Sequence, residues 1–213
     1  MISILVVDDH ALIRKGLKQL LSDTPDIRVT GEAETGNEAL ALARQNEYDM
    51  VLLDIALPDK NGIDVLKQLK VEHPEMNVIV LSMYPEEQYG VRSLKAGASG
   101  YLNKQSAPDL LIGAIRQVLC GKKYIGEIMA EQLLNSMIGT SQELLHQTLS
   151  NREYQTLCLI ASGKTLTEIA DTMTLSPKTV SVYRARMLEK MGFKNNAEAI
   201  HYAINYHLVE SSN

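Results

Sequence analysis

The chain opens with Ile2-Ser-Ile-Leu-Val-Val-Asp-Asp9, a short aliphatic run that ends at two aspartates. Similar apolar runs follow at Ile27–Ala33, Tyr48–Asp54, Asn77–Met83 and Ser99–Asn103. Three of the five runs are almost continuously aliphatic or β-branched, which is typical of strands buried on both faces of a parallel sheet. We therefore predict a five-stranded parallel sheet in the first part of the chain.

Amphipathic helical patterns separate these runs. The stripe of the first helix is formed by Ile13, Leu17, Leu20 and Leu21. Further helical patterns lie near 36–46, 61–72, 85–96 and 106–119. The alternation predicts a doubly wound (βα)5 α/β domain. Its right-handed crossovers place the carboxyl ends of the strands on one rim, where ligands bind in this architecture.

The C-terminal part of the chain predicts helices only. Ser150-Asn-Arg-Glu153 and Thr165-Leu-Thr-Glu168 are capping boxes, in which a hydroxyl and a glutamate satisfy each other's free amides. Ser176-Pro177 opens a third helix, which Gly192 ends. Asn195 or Asn196 can cap a fourth helix. We expect a small all-α bundle of four helices.

These patterns divide the chain into three parts. Residues 1–120 form the α/β domain, and residues 145–213 form the helical domain. Between them, residues 121–144 are a linker with one short helix at Glu127–Ile138, flanked by Gly121-Lys-Lys-Tyr-Ile-Gly126 and Gly139-Thr-Ser141.

Composition favours a protein of the cytoplasm without a membrane contact. The formal net charge is −5, and no apolar run approaches the roughly 18 residues needed to span a bilayer. The spacing of Cys120 and Cys158 matches neither a metal knuckle nor a disulfide framework. We expect both cysteines to be reduced residues that pack on apolar helix faces.

Three carboxylates are predicted to meet at the rim of the sheet. Asp8 and Asp9 end the first strand and Asp54 ends the third, and these strands are neighbours in a doubly wound sheet. Carboxylates so close repel each other unless a cation intervenes, and Mg²⁺ is the natural choice. Ser82 and Lys104 end or follow two further strands and suit the oxygens of a phosphoryl group.

Residues 1–120 resemble the CheY-like receiver domain. The resemblance rests on Val6-Val-Asp-Asp9, Leu52-Leu-Asp-Ile55, Leu57-Pro58, Asn61-Gly62, Leu81-Ser82 and Gly97-Ala-Ser-Gly-Tyr-Leu-Asn-Lys104. It implies that Asp54 accepts a phosphoryl group from a histidine kinase, a phosphotransfer protein or a small phosphodonor.

The same resemblance assigns the other residues of the site. Mg²⁺ would be held by Asp9, Asp54 and the main-chain carbonyl of Ala56, with Asp8 acting through water. Ser82 and Tyr101 would be the switch pair, and Lys104 would contact the phosphoryl group. The sequence leaves two candidates for the output surface. One is the region formed by helix 85–96, strand 99–103 and helix 106–119. The other is the pair of the first and fifth helices.

Two positions depart from the receiver pattern. Gln105 follows Lys104 where many receivers have a proline, so the loop that carries Lys104 is expected to differ. Ala56 offers no group that could position an attacking water. We expect a long-lived phosphorylated state for that reason.

The third helix of the C-terminal part has one apolar and one polar arc. The apolar arc contains Val180, Tyr183, Met187, Leu188 and Met191. The opposite arc contains Lys178, Ser181, Val182, Ala185, Arg186 and Glu189. Across 176–191, four basic residues stand against one acidic residue. Arg184 falls inside the apolar arc, so it either reaches a phosphate or pairs with an acidic side chain.

The C-terminal part resembles the LuxR-type helix-turn-helix. The resemblance rests on Leu149-Ser-Asn-Arg-Glu153, Ile160-Ala-Ser-Gly163, Glu168-Ile-Ala170, Leu175-Ser-Pro-Lys-Thr-Val180 and Met187-Leu-Glu-Lys-Met191. With the receiver, it identifies the chain as similar to NarL/FixJ-family response regulators. It implies DNA contacts from Lys178, Thr179, Ser181, Val182, Ala185 and Arg186. Thr174 stands at a turn position where glycine is common.

The sequence is compatible with three functions. The first is a phosphorylation-gated transcription factor that binds double-stranded DNA, with inverted-repeat half-sites, as a homodimer. The second is a Mg²⁺-dependent phosphohydrolase with Asp54 as nucleophile, which the short connections between elements disfavour. The third is a switch whose helical part binds protein. We expect the first function. The protein would then be a phosphoacceptor with slow autodephosphorylation and not a turnover enzyme. We also expect its receiver to mask the DNA-binding helix before phosphorylation.

Overall fold

A computed structural model describes residues 1–138, 144–206 and 208–209. It divides into two compact units, Met1–Leu134 and Asn135–Asn213. The predicted domain limits at 120 and 145 stay predictions, and the structure adds that residues 121–134 pack with the first unit. The predicted Gly139-Thr-Ser141 stretch lies outside the described residues.

The first unit is a five-stranded parallel sheet with helices on both faces, which confirms the predicted doubly wound fold. The strands stand in the order β2-β1-β3-β4-β5. In chain order the elements are β1 Ile2–Val7, α1 Ala11–Ser22, β2 Ile27–Ala33, α2 Gly36–Gln45, β3 Met50–Asp54, α3 Gly62–Glu72, β4 Asn77–Ser82, α4 Glu86–Lys95, β5 Gly100–Asn103 and α5 Ala107–Leu119.

The pairing of the central strands positions the rim. Val7 of β1 pairs with Leu53 of β3, so the residues that follow them, Asp8 and Asp54, emerge side by side. Every residue of β3 is buried, and the side chains of α1 and α5 pack over one face of the sheet. Burial of this apolar surface fixes the strand register, because a slip of one residue would turn buried side chains toward the opposite face.

The second unit is helical. It contains a 3₁₀ turn at Leu145–Thr148, and the helices α7 Asn151–Ala161, α8 Leu166–Met173, α9 Pro177–Met191 and α10 Asn196–Asn205. The helix α6, Glu127–Ile138, runs from the first unit into the second. None of the helices in the described ranges is both long and apolar enough to cross a bilayer.

The predicted helix starts are confirmed. Ser150 and Thr165 each take part in a complete capping box, and Ser176 accepts a hydrogen bond from the Thr179 amide. Asn195 caps α10 in the same way. Four of the helices in this unit therefore begin where a short polar side chain replaces the missing intrahelical carbonyl.

One prediction about the cysteines is wrong. Cys158 is buried on α7, as expected. Cys120 is exposed, because it follows the last residue of α5, where the helix has already left the apolar face of the sheet.

Candidate functional site

The rim of the first unit carries a compact acidic pocket, formed by Asp8, Asp9 and Asp54. Asp8 and Asp54 are each only 2% exposed. One ligand atom from each of the three aspartates and from His10 lies within 4.8 Å of the others. The structure therefore brings together the three carboxylates that the sequence placed on neighbouring strands.

Lys104 joins two of these carboxylates. Its Nζ lies 2.7 Å from Asp8 Oδ2 and 2.8 Å from Asp54 Oδ2. Burial alone lowers the pKa of the Lys104 ammonium, but the attraction of the two aspartates outweighs burial and leaves that pKa raised. Lys104 is therefore a charged cation at the centre of the pocket.

The loop of Lys104 is held without the proline that many receivers have next to it. The Lys104 amide donates to the Ser82 carbonyl at 2.8 Å, and the Gln105 amide donates to Asn103 Oδ1 at 2.8 Å. The Lys104–Gln105 peptide bond is trans. A proline at position 105 would have no N–H and could not donate to Asn103. This hydrogen bond is therefore a difference from receivers that have the proline.

The donor set fits a hard divalent cation. Asp54 Oδ1 is buried and accepts no hydrogen bond from the described residues, so it has a free lone pair inside the pocket. Burial raises the pKa of the Asp54 carboxyl, against the opposing effect of Lys104. Clustered carboxylate oxygens with main-chain carbonyls are the ligands that Mg²⁺ and similar ions take.

The two predicted switch residues meet at Tyr84. Ser82 is fully buried, and its Oγ accepts a hydrogen bond from the Tyr84 amide at 3.1 Å. The Tyr101 hydroxyl donates to the Tyr84 carbonyl at 2.7 Å. Burial raises the pKa of Tyr101 well above its ordinary value, so the hydroxyl stays protonated. Tyr101 already points inward in this structure.

Asn61 and Gly62 shape the loop after Asp54, a role that the sequence motif did not reveal. The Gly62 amide donates to the Ile55 carbonyl at 2.8 Å, and a Cβ on Gly62 would collide with the main-chain oxygen of Asp54. Asn61 is buried and accepts the Ile63 amide at 2.9 Å, which caps α3. Only glycine allows this approach. Ala56 forms an antiparallel bridge with Asn61 in the same loop.

Arg14 and His10 support the turn that presents the aspartates. Arg14 is buried, and its Nη1 donates to the Asp8 carbonyl at 2.7 Å while Nη2 pairs with Glu34. His10 stands at the N-cap of α1, and its Nδ1 lies 2.7 Å from Asp9 Oδ1. Arg14 was missed because a buried guanidinium beside an apolar stripe has no signal in the sequence.

In the second unit, α9 presents the predicted polar arc to solvent. The exposed residues are Lys178, Ser181, Val182, Ala185 and Arg186, and Thr179 is half-buried. On the other side, Val180, Met187, Leu188 and Met191 are buried, as the pattern predicts, whereas Tyr183 is half-buried. Small exposed residues flanked by cations leave this face of α9 open to a close-fitting anionic partner.

Arg184 is held by a neutral partner instead of the acidic one that we weighed. Its Nε donates to Asn196 Oδ1 at 2.6 Å, which ties α9 to the start of α10. The amide oxygen accepts one of the guanidinium N–H groups without a second charge, and the side chain is half-buried.

Two further features fix α9 against its neighbours. Lys190 Nζ lies 2.6 Å from Glu153 Oε2, and the Glu153 side chain is 4% exposed. Thr174, in the turn before α9, has a φ of 53°, the left-handed conformation that usually calls for glycine. The turn that orients α9 therefore holds a strained β-branched residue.

Comparisons with known proteins agree with both units. Residues 4–116 match the response regulator receiver domain, and residues 147–203 match the bacterial regulatory proteins of the luxR family. The chain is 36% identical over 209 residues to the response regulator UvrY of Escherichia coli K12, which covers 98% of this chain and 96% of UvrY. This chain is a response regulator. It is also 35% identical to the response regulator GacA of Pseudomonas aeruginosa over the whole of both chains.

Solved structures extend the likeness to the fold. Salmonella typhimurium RcsB matches with a TM-score of 0.59 and 26% identity, covering 96% of this chain and 98% of that one. RcsB bound to promoter rprA with the phosphomimetic BeF3⁻ matches with a TM-score of 0.62 and 25% identity, covering 94% and 97%. The predicted NarL/FixJ membership is confirmed: this response regulator has a receiver domain and a LuxR-type DNA-binding domain, and it regulates transcription.

Proposed function

We propose that Asp54 is the phosphoacceptor of this response regulator. The observation that carries the proposal is the geometry of the acidic pocket. Asp54 is buried beside Asp8, its Oδ1 accepts no hydrogen bond from the described part of the chain, and Lys104 Nζ lies 2.8 Å from its other oxygen. A nucleophilic oxygen and a fixed cation therefore stand side by side.

The donor would be the phosphohistidine of a sensor kinase or phosphotransfer protein, or a small acyl phosphate. A bond forms between an Asp54 oxygen and phosphorus, and the bond between phosphorus and the donor's nitrogen or oxygen breaks. The leaving group keeps the electron pair of the broken bond. The product is an acyl phosphate on Asp54, and no oxidant or reductant takes part.

Mg²⁺ would be held by Asp9, Asp54 and the Ala56 carbonyl, with Asp8 acting through water. When bound, it supplies positive charge that offsets the oxygens of the transferred group. Lys104 supplies a second positive charge, since its Nζ lies 2.8 Å from Asp54 Oδ2. The phosphoryl group on Asp54 adds about −1.5 to −2 charges at neutral pH, so Mg²⁺ and Lys104 are both needed to stabilise it in a buried site.

The phosphorylated state is proposed to be long-lived, because the Ala56 side chain has no polar atom that could orient an attacking water. The Ser82 hydroxyl would donate a hydrogen bond to the phosphoryl group. Ser82 and Tyr101 together would act as the switch pair. The chain would then be a stoichiometric acceptor with slow autodephosphorylation rather than a turnover enzyme.

The exposed arc of α9 is proposed to enter the major groove of double-stranded DNA. Lys178 and Arg186 suit phosphates or guanine, the Val182 methyls suit thymine, and the small Ser181 and Ala185 allow close approach. Thr179 lies beside them. Because one α9 carries few cations, two copies on inverted half-sites are proposed, and RcsB has been solved as dimers on DNA. A regulator of this kind works in the cytoplasm, where the DNA is.

The test combines a small phosphodonor with DNA binding. Purified protein is treated with acetyl phosphate and Mg²⁺, and phosphate release, oligomeric state and binding to promoter DNA are measured. We expect one phosphoryl group per chain, no sustained phosphate release, and tighter DNA binding. Sustained release would favour a phosphohydrolase instead, and unchanged DNA binding would contradict the gating.

The DNA contacts are tested by variants of α9. Lys178→Ala and Arg186→Ala should weaken DNA binding, and loss of a phosphate contact should reduce the salt slope by about 1. Lys67→Ala, which removes one exposed charge from α3 in the receiver, is the matched control. Equal affinities for all three variants would contradict the assignment of α9.

A further inference from the structure

The first part of the linker is docked on the receiver in this structure. Residues 121–134, the docked segment, belong to the same compact unit as the sheet. The Tyr124 amide donates to the Ser99 carbonyl at 2.9 Å, and Tyr124 forms a parallel bridge with Gly100 of β5. Lys123 Nζ donates to the Ala98 carbonyl at 2.7 Å. The docked segment therefore covers the free edge of β5.

Helix α6 continues this contact onto α4. The Gly126 amide donates to Glu86 Oε1 at 3.1 Å, which anchors the residue before α6 to the first residue of α4. Met129 is 0% exposed, and a Cβ on Gly90 of α4 would lie 2.9 Å from its sulfur. The two helices approach this closely because residue 90 has no side chain.

Tyr84 connects that surface to the acidic pocket. Its amide donates to Ser82 Oγ and its carbonyl accepts from the Tyr101 hydroxyl, so one residue is bonded to both switch side chains. Its ring packs on Tyr89 of α4 with centroids 4.9 Å apart. Tyr89 is fully buried and precedes Gly90, which faces Met129. A continuous chain of contacts thus runs from the pocket to the docked segment.

The start of α4 is the element that would move. Only Pro85 separates Tyr84 from Glu86, the residue that accepts the Gly126 amide. If the Ser82 hydroxyl turns toward a phosphoryl group on Asp54, the Tyr84 amide gives up its acceptor. Residues 84–86 would then lose one anchor, and both linker contacts on α4 depend on their position.

We propose that Tyr84 is a positioning residue that couples Ser82 to the linker, and that phosphorylation releases the docked segment from α4. This inference rests on the proposed phosphorylation of Asp54. Through this coupling, the receiver would change the linker to the DNA-binding domain by breaking the contacts of Gly126 and Met129 with α4. A coupling of this kind needs an element with two arrangements that the phosphoryl group biases.

The test is hydrogen exchange followed by mass spectrometry on the full chain. Protein is measured with and without acetyl phosphate and Mg²⁺, and the intact mass of each sample gives the fraction phosphorylated. Peptides from 121–131 should exchange at least about fivefold faster after phosphorylation, the factor that corresponds to the loss of one net hydrogen bond. Phosphorylated protein with unchanged exchange in 121–131 would overturn the inference while the proposed function stands.

Variants test the docking independently of the phosphodonor. Met129→Ala and Ser82→Ala should each speed exchange in 121–131 in untreated protein. Ile128→Ala, on an exposed neighbouring position of α6, should leave it unchanged. If no sample gains the mass of a phosphoryl group, the proposed function fails, and the Ser82→Ala result still decides the inference: unchanged exchange in this variant overturns it.

The role of Tyr84 has its own readout. Tyr84→Ala keeps the main-chain contacts with Ser82 and Tyr101 but removes the ring that packs on Tyr89. It should keep the gain of one phosphoryl group while reducing the exchange response of 121–131. Tyr84→Phe keeps the ring and should keep the response. A full response in Tyr84→Ala would show that the Tyr84 ring does not carry the signal and would overturn the positioning role of this side chain.

Discussion

Replacing Lys104 by methionine should make the receiver dependent on pH and on divalent cations. The substitution keeps an unbranched side chain, one atom shorter, and removes the cation that bridges Asp8 and Asp54. Both carboxylates are 2% exposed and have oxygens within 4.8 Å of each other, so the change leaves two neighbouring buried negative charges without their cation. Breaking a buried ion pair on one side costs about 3–5 kcal/mol.

Protonation of one carboxylate would relieve part of this cost. Burial already raises the pKa of Asp54 in the native protein, where Lys104 opposes the shift. Without Lys104 the pKa rises further, so the protonated carboxyl stabilises the fold at low pH and this stability is lost as the pH rises through the folded-state pKa. The dependence approaches about 1.4 kcal/mol per pH unit for one proton.

The assay is differential scanning calorimetry of the full chain in EDTA and in Mg²⁺. In EDTA at pH 8, the receiver transition of Lys104→Met should fall by about 10 °C or more, from the conversion of a few kcal/mol for a domain of this size. Low pH or Mg²⁺ should restore much of the loss, because each neutralises the pocket. Lys67→Met, on an exposed position of α3, is the control. A receiver transition within about 2 °C of the native protein in EDTA at pH 8 would refute the reasoning.

Three further substitutions test other parts of the structure. Thr174→Gly should stabilise the helical unit by up to about 1 kcal/mol, because it relieves the left-handed backbone strain, and its thermal transition should rise. Gly62→Ala should destabilise the receiver by more than about 3 kcal/mol and abolish phosphorylation, since its Cβ collides with main chain, whereas Gly113→Ala, with open space around it, should be neutral or stabilising. Burial raises the pKa of Glu153, but the hydrogen bonds from Lys190 and the helix start outweigh it and leave that pKa lowered. Stability from Glu153 should therefore be present above about pH 4.5 and lost as the pH falls through the folded-state pKa, and Glu153→Gln should remove this dependence from acid titrations.

Each of these has a clear opposite result. A lower thermal transition temperature for Thr174→Gly would mean that the entropy that glycine adds to the unfolded chain outweighs the relief of backbone strain in the folded protein. Normal phosphorylation of Gly62→Ala would show that the loop after β3 can move aside. An unchanged acid profile in Glu153→Gln would place the acid sensitivity of the helical unit elsewhere.

The rim of the receiver could be predicted because it follows from topology. Parallel strands end on the same side, so Asp8 and Asp54 had to meet once β1 and β3 were recognised as neighbours. Lys104 needed only the same argument for β5. The predicted limits of β1 and β2 match the structure, whereas those of the other three strands differ by one or two residues, as at Tyr48, which precedes β3.

The missed features depend on contacts between segments that are distant in sequence. Arg14 reaches the Asp8 carbonyl across the start of α1, and Gly62 is set by the main chain of Asp54. The docking of Met129 on Gly90 joins two helices whose individual patterns say nothing about each other. The Asn196 partner of Arg184 is not among the predicted ones, because pattern analysis weighs charges and overlooks a neutral amide.

The most direct test of the central claim is the position of the phosphoryl group. Native protein and Asp54→Asn protein are treated with acetyl phosphate and Mg²⁺ and digested, and the peptides are analysed by mass spectrometry under conditions that preserve acyl phosphates. We predict that the peptide containing Asp54 gains the mass of one phosphoryl group in the native protein and gains nothing in the variant. A phosphoryl group that persists on the variant, or that lies on another peptide of the native protein, would contradict the account.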